Sequence, residues 1–113
     1  MLNEVVVVDA VRTAFGKAGE KGIFWKARAE DLCVPLLKAL IERNPPVSPA
    51  DIEDLVWGAT NQLKEQGGTI GRMISMLAGW GWEVPGCTID RMCASGLTAV
   101  GFGVATIATG MAE

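Results

Sequence analysis

Cys93 stands between a short apolar segment, Val84-Pro85-Gly86-Cys87-Thr88-Ile89, and an uncharged run that opens Ala94-Ser95-Gly96-Leu97-Thr98-Ala99-Val100. This pattern places a thiol at a strand-to-helix turn. At a helix start, unpaired backbone N–H groups and the positive end of the helix dipole stabilise an anion, which favours thiolate over thiol. Arg91 acts in the same sense. Ala94, Ser95 and Gly96 have little bulk, so a substrate carbonyl can reach the sulfur while backbone N–H groups meet the oxygen on which charge develops. The chemistry suggested is acyl transfer through a thioester. Two other uses compete: a buried cysteine serving as a small hydrophobe, and redox sensing, for which Cys87 is the near candidate as resolving partner.

The elements around this turn alternate between strand-like and helix-like. Glu4 to Asp9, with four consecutive valines, predicts a strand buried on both faces, and hence a parallel sheet. The next helix carries Ala29, Cys33, Leu36, Leu37, Leu40 and Ile41 on one face, which makes Cys33 a core residue. Pro35 either confines that helix to the residues after it or kinks it. Asn44-Pro45-Pro46 ends the helix, and Ser48-Pro49-Ala50-Asp51 supplies a cap, a first-turn proline and an acid for a short turn. Asp54 to Thr60 returns as a strand, and Asn61 to Thr69 is a polar, glycine-containing loop. A helix follows with Ile70, Met73, Ile74 and Leu77 on its core face. Trp80-Gly81-Trp82 turns the chain into the reactive strand, as a core-packed turn or the lining of an acyl path.

From Met92 to Ala112 no charged residue occurs. The run is long enough for a membrane span, but Gly, Ala, Ser and Thr dominate it and no anchors flank its far end, so a buried helix of a soluble protein is the expectation. Ala94, Thr98, Gly101, Ala105 and Ala108 form a small-residue stripe, and Leu97, Val100, Val104, Ile107 and Met111 a bulky one. A helix apolar on all sides needs cover on both, with close helix packing on the small stripe. Gly101-Phe102-Gly103 resembles the opening of a dinucleotide fingerprint but lacks the third glycine and lies within this helix.

Half of the 113 residues are apolar and the net charge is −3. Such a chain is long enough for one small domain and too apolar to be comfortable alone. Without a basic cluster, nucleic-acid binding has little support. Three cysteines and no histidine make neither a disulfide framework nor a zinc site, and suit a reducing compartment. The first residues have neither the basic start and apolar core of a signal peptide nor the arginines of a mitochondrial one, so the cytoplasm is expected.

The stretch Asp90-Arg91-Met92-Cys93-Ala94-Ser95-Gly96-Leu97 closely resembles the acylated-cysteine segment of the thiolase family. Val5-Val6-Val7-Val8-Asp9-Ala10-Val11-Arg12-Thr13-Ala14-Phe15-Gly16 is similar to that family's amino-terminal strand and turn, and Ala29-Glu30-Asp31-Leu32 to its first helix start. Gln66 and Arg72 flank a loop of the kind found at the family's dimer contact. These landmarks appear in family order across nearly the full chain.

The resemblance implies an α/β, layered αβαβα fold, of which residues 1–113 supply the first strands and helices of the amino-terminal domain, incomplete without the remaining polypeptide. It implies acyl transfer between CoA thioesters through an acyl-cysteine on Cys93, the one catalytic residue assigned. No cofactor or metal is implied, since coenzyme A thioesters enter as substrates. Family members take the nucleophile's proton with a histidine in a Gly-His-Pro segment and use a second, later cysteine. The chain has no histidine, and Cys33 and Cys87 precede the nucleophile, so a partner polypeptide carrying the rest of the fold is expected. The complete unit is expected as a dimer or tetramer. The alternative is a non-catalytic assembly subunit of a thiolase-like complex. Asp90, where the family often has Asn, opposes the thiolate if it faces the sulfur. Ala14, where proline is common, loosens a turn.

Overall fold

Helix α1 spans Ala29–Arg43, beginning at the expected residue. The Arg28 amide donates to the Asp31 carboxylate at 3.1 Å. Glu30 and Asp31 put negative charge on the first turn, where the helix dipole favours it. The helix continues through Pro35, whose ring is exposed. On that side, water can satisfy the carbonyl one turn back that loses its donor. Asn44 closes α1, its amide donating to Ile41 O at 3.1 Å and its side chain to Leu40 O at 2.8 Å. Beyond it, the amide and hydroxyl of Ser48 both donate to Asp51 Oδ2 at 2.7 Å, organising the single 3-10 turn Pro49–Asp51.

In the computed structural model, which describes residues 1–113, strands β1 (Val56–Gly58) and β2 (Cys87–Ile89) pair in parallel. Val56 stands opposite Cys87, Trp57 opposite Thr88 and Gly58 opposite Ile89. Parallel neighbours need a crossover, and helix α2 (Ile70–Leu77) provides it. Alternation along β1 then separates two layers. Trp57 packs with the cluster of Leu37, Ala59, Ile70, Ile74, Trp80 and Val84 under α1 and α2, whereas a Cβ on Gly58 would run into Ser95 and Gly96 of helix α3 (Ser95–Ala108). Successive strand residues face opposite ways, so the order is helices, sheet, helix. The expected layered α/β arrangement with a parallel sheet is present.

Three expectations are corrected. Glu4 to Asp9 forms no strand, and Val6, Val7 and Val8 are 69%, 81% and 75% exposed. The segment is tied at its ends, by Asn3 to Ala108 O and Ile107 O at 2.9 and 3.1 Å and by Asp9 to Arg43 and Asn44 at 2.9 and 3.0 Å. Between those ties no neighbouring strand pairs with the valines, and a strand without a partner has no ladder.

On α2, Ile70 and Ile74 are buried as expected, but Gly71 and Ser75 join them while Met73 and Leu77 are exposed. Gly71 takes the inner position because a Cβ there would lie 2.3 Å from Cys87 O. On α3, neither expected stripe meets the sheet. Ser95 and Ala99 do, while Leu97, Val100, Val104 and Met111 stay exposed. Only ten of the 113 residues are buried, so this half-apolar chain leaves most of its apolar side chains partly or wholly uncovered. No helix is long and apolar enough to cross a membrane.

Candidate active site

β2 ends at Ile89 and α3 begins at Ser95, and the chain turns sharply between them. Met92 adopts φ 49°, the left-handed region that non-glycine residues seldom enter. Five contacts hold it there, one of them the Ser95 amide donating to Met92 O at 3.1 Å. The Met92 amide donates to Asp90 Oδ1 at 2.9 Å and the Ala94 amide to Arg91 O at 3.0 Å. The Ser95 hydroxyl accepts from the Arg91 amide at 2.8 Å and donates to Met92 O at 2.7 Å. Cys93 follows the left-handed residue and is exposed, two residues before the first residue of α3. The backbone amides of Cys93, Gly96 and Leu97 donate to no group of the chain, as expected of a helix start.

Asp90 is accounted for by this geometry, since its carboxylate oxygen accepts from the backbone of the turn. Arg91 is exposed and takes part in neither of the chain's two ion pairs, Arg28–Glu30 and Arg43–Asp9. It borders, with Ala94, Leu97 and Phe102, a shallow depression along α3. The turn therefore presents one thiol, one guanidinium and unpaired amides on an open face. That set can offer a sulfur nucleophile and donors to an oxygen, but it contains no general base.

The other two thiols are placed differently. Cys33 is half-buried against the core, and burial, with a smaller contribution from Glu30, pushes its pKa up. Cys87 lies at the start of β2, where desolvation and then Asp54 push its thiol up. Neither suits a reactive or resolving thiol. No group of three or more histidine, cysteine or acidic side chains comes together in the geometry a metal needs.

Arg72 works inside the chain. Its guanidinium donates to Val84 O and, at 3.2 Å, to Trp82 O, holding the loop that leads into β2. Gln66 ends the 3-10 turn Lys64–Gln66. The tryptophan pair divides, with Trp80 in the core and Trp82 exposed, so they do not act as a pair.

Two residues that the sequence reading passed over support the turn. A Cβ on Gly58 would stand 2.5 Å from Gly96 N and from the carbonyl carbon of Ser95, so a glycine on β1 lets the first turn of α3 seat there. Ser95, read only as a small residue, is 4% exposed and crosslinks the turn. A serine two residues after the cysteine at a helix start, able to bond the backbone of the preceding turn, is the signal that could have pointed to it.

The family model described as "Thiolase, N-terminal domain" matches residues 5–113. A 3-ketoacyl-CoA thiolase of Colwellia psychrerythraea is 41% identical over 112 residues, covering 99% of this chain and 29% of the relative. One from Marinobacter nauticus is 44% identical over 107 residues, 95% of this chain and 27% of the relative. Among solved structures, the acetyl-CoA acetyltransferase of Bacillus anthracis matches with a TM-score of 0.75 at 27% identity, over 81% of this chain and 23% of that one. The chain spans less than a third of the length of these proteins.

Proposed function

Because the chain belongs to the thiolase family and matches its amino-terminal domain, we propose that it takes part in acyl transfer between CoA thioesters through an acyl-cysteine intermediate on Cys93. In the condensing direction, Cys93 Sγ adds to the carbonyl carbon of acetyl-CoA. The carbonyl electrons move to oxygen, where the Cys93 amide helps hold them. The oxyanion then collapses, the carbon–sulfur bond to CoA breaks, and CoA leaves with a proton. A second acyl-CoA, deprotonated beside its carbonyl, attacks the acetyl carbon, forming the new carbon–carbon bond and freeing the sulfur. In the reverse direction Cys93 attacks the keto carbon of a 3-oxoacyl-CoA, and acetyl-CoA departs after its carbanion is protonated. The acyl group then passes to the thiol of CoA.

The observation that carries this reading is an exposed cysteine behind a left-handed residue at the start of α3. The proton acceptor must come from elsewhere, since the chain has no histidine. We assign it to the further polypeptide that the longer relatives contain, together with the second cysteine. That polypeptide would also pair with Val6 to Val8 and cover both stripes of α3. The complete unit is proposed as a dimer or tetramer in the cytoplasm, a setting that suits three unpaired thiols.

Incubating the complete assembly with acetyl-CoA and mapping its peptides tests the reading. Acetyl on Cys93, lost in Cys93→Ser together with turnover, is expected. An unmodified Cys93 beside an acetylated Cys33 or Cys87, or undiminished turnover in Cys93→Ser, overturns it. The absence of histidine favours a second reading, a non-catalytic assembly subunit. An assembled complex that neither acetylates Cys93 nor turns over substrate would select that one.

A further inference from the structure

The reversal between β2 and α3 carries one buried hydroxyl. Ser95 Oγ accepts from the Arg91 amide at 2.8 Å and donates to the Met92 carbonyl at 2.7 Å, with the side chain 4% exposed. No other acceptor serves the Arg91 amide. Between those two groups lies Met92 in its left-handed conformation, which an L residue keeps only where its surroundings hold it. Cys93 comes next, so the direction of its side chain and of its free amide is set by the torsions that Ser95 fixes. The Asp90 contact on the Met92 amide at 2.9 Å restrains the entry to the turn. The Ala94 and Ser95 amides also donate across the turn, to Arg91 O at 3.0 Å and to Met92 O at 3.1 Å, and the Ser95 hydroxyl adds the side-chain bond that ties the Arg91 amide to the first turn of the helix.

We propose that Ser95 is a positioning residue for Cys93, whose buried hydroxyl holds the left-handed turn so that the thiol faces outward beside unpaired amides. This rests on Cys93 being the acyl acceptor. Loss of the hydroxyl lets Met92 relax toward an ordinary torsion and swings the sulfur away from the unpaired amides.

The test is alkylation of Cys93 by iodoacetamide in the full-length polypeptide at one fixed pH, followed by peptide mass spectrometry. Ser95→Ala and Ser95→Thr are compared with the parent, and circular dichroism checks the fold. In Ser95→Ala the rate is expected to fall about tenfold, the scale of one lost hydrogen bond. Ser95→Thr, which keeps the hydroxyl, restores it. A Ser95→Ala protein that melts lower but alkylates at the parent rate overturns the proposal, because a merely structural serine would behave that way.

Should the variants not fold, hydrogen exchange in the parent decides. The Arg91 amide must exchange much more slowly than the Cys93 amide, and equal rates overturn the proposal. The acetyl-CoA experiment keeps the two ideas apart. If parent Cys93 takes the acetyl group while Ser95→Ala alkylates normally, only the positioning role fails. If Ser95→Ala slows alkylation while parent Cys93 is never acetylated, only the acyl-acceptor reading fails.

Discussion

Replacing Gly58 by alanine probes whether the seat of α3 on β1 holds the reactive turn in place. The added Cβ would lie 2.5 Å from Gly96 N and the Ser95 carbonyl carbon, and 2.6 Å from Ser95 O. Carbon atoms rest comfortably from about 3.5 Å, so the shortfall is roughly 1 Å. The obstruction is helix backbone, which cannot rotate aside as a side-chain tip can. The first turn of α3 must therefore retreat or tilt, and Ser95 with its bonds to Arg91 and Met92 is the first group displaced. Overpacking of this kind costs about 1–3 kcal/mol, offset in part by the roughly 0.4–1 kcal/mol that alanine contributes by stiffening the unfolded chain. A net loss of about 1–2 kcal/mol lowers Tm by roughly 5–10 °C in a domain of this size. Calorimetry measures that loss, and iodoacetamide alkylation of Cys93 reads the turn in the same samples. A Gly58→Ala protein that melts at or above the parent, with Cys93 alkylated at the parent rate, refutes the inferred seat.

The remaining predictions follow from the same geometry. Gly101→Ala has nothing within 4 Å of the new Cβ and should raise the stability of this chain alone by about 0.5–1 kcal/mol, but lower it in the complete polypeptide if another helix meets the small stripe. Urea melts of both decide, and a gain in each removes that contact. Asp90→Asn keeps a side-chain oxygen able to accept from the Met92 amide, so Cys93 alkylation should stay near the parent rate, whereas Asp90→Ala slows it. At mildly alkaline pH iodoacetamide should modify Cys93 before Cys33 and Cys87, whose thiols burial pushes up; timed peptide mapping showing either of them first contradicts the assignment of exposure. Asp9 is held below its usual pKa by Asn44, then Ala10 and Arg43, and Asp51 by the side chain and amide of Ser48. Since folding lowers both, their stabilisation is complete above the unfolded carboxylate value and disappears as pH falls through the lower folded values. Melts of Asp51→Asn and the parent should therefore converge as the pH drops below about 4.

Legibility in the sequence depended on whether a local signal could settle each feature. The start of α1 came from the resemblance of Ala29-Glu30-Asp31-Leu32, and the bond from the Arg28 amide to Asp31 is the local contact that fixes it. The Ser48–Asp51 turn was readable because a cap and its acid lie within one turn of each other. So was the position of Cys93, since a strand-like run followed by an uncharged helix leaves little choice about where the chain turns. The rotation of α2 and α3 was not readable. Periodicity reports a phase only when one face differs from the others, and α3 is apolar throughout, so both of its stripes satisfied the pattern equally. Contacts between elements decide the phase: Gly58 admits Ser95 and Gly96 to β1, and Gly71 admits α2 to Cys87. A glycine in a strand says that something comes close without saying what.

The valines of Val5 to Val8 failed for a different reason. Their sequence describes a strand buried on both faces, and burial belongs to the neighbours as much as to the segment. Their exposure and that of the stripes of α3 describe one condition, apolar surface that these 113 residues do not themselves cover. The same holds for the chemistry. The turn supplies a sulfur, a guanidinium and free amides, all from residues close together in sequence, because a strand-to-helix turn can build them locally. A proton acceptor for that sulfur has to approach from outside the turn, and the chain has no histidine to supply it. On the proposed reading, a complete active site forms where another part of the fold covers α3, with Cys93 at the edge of that contact.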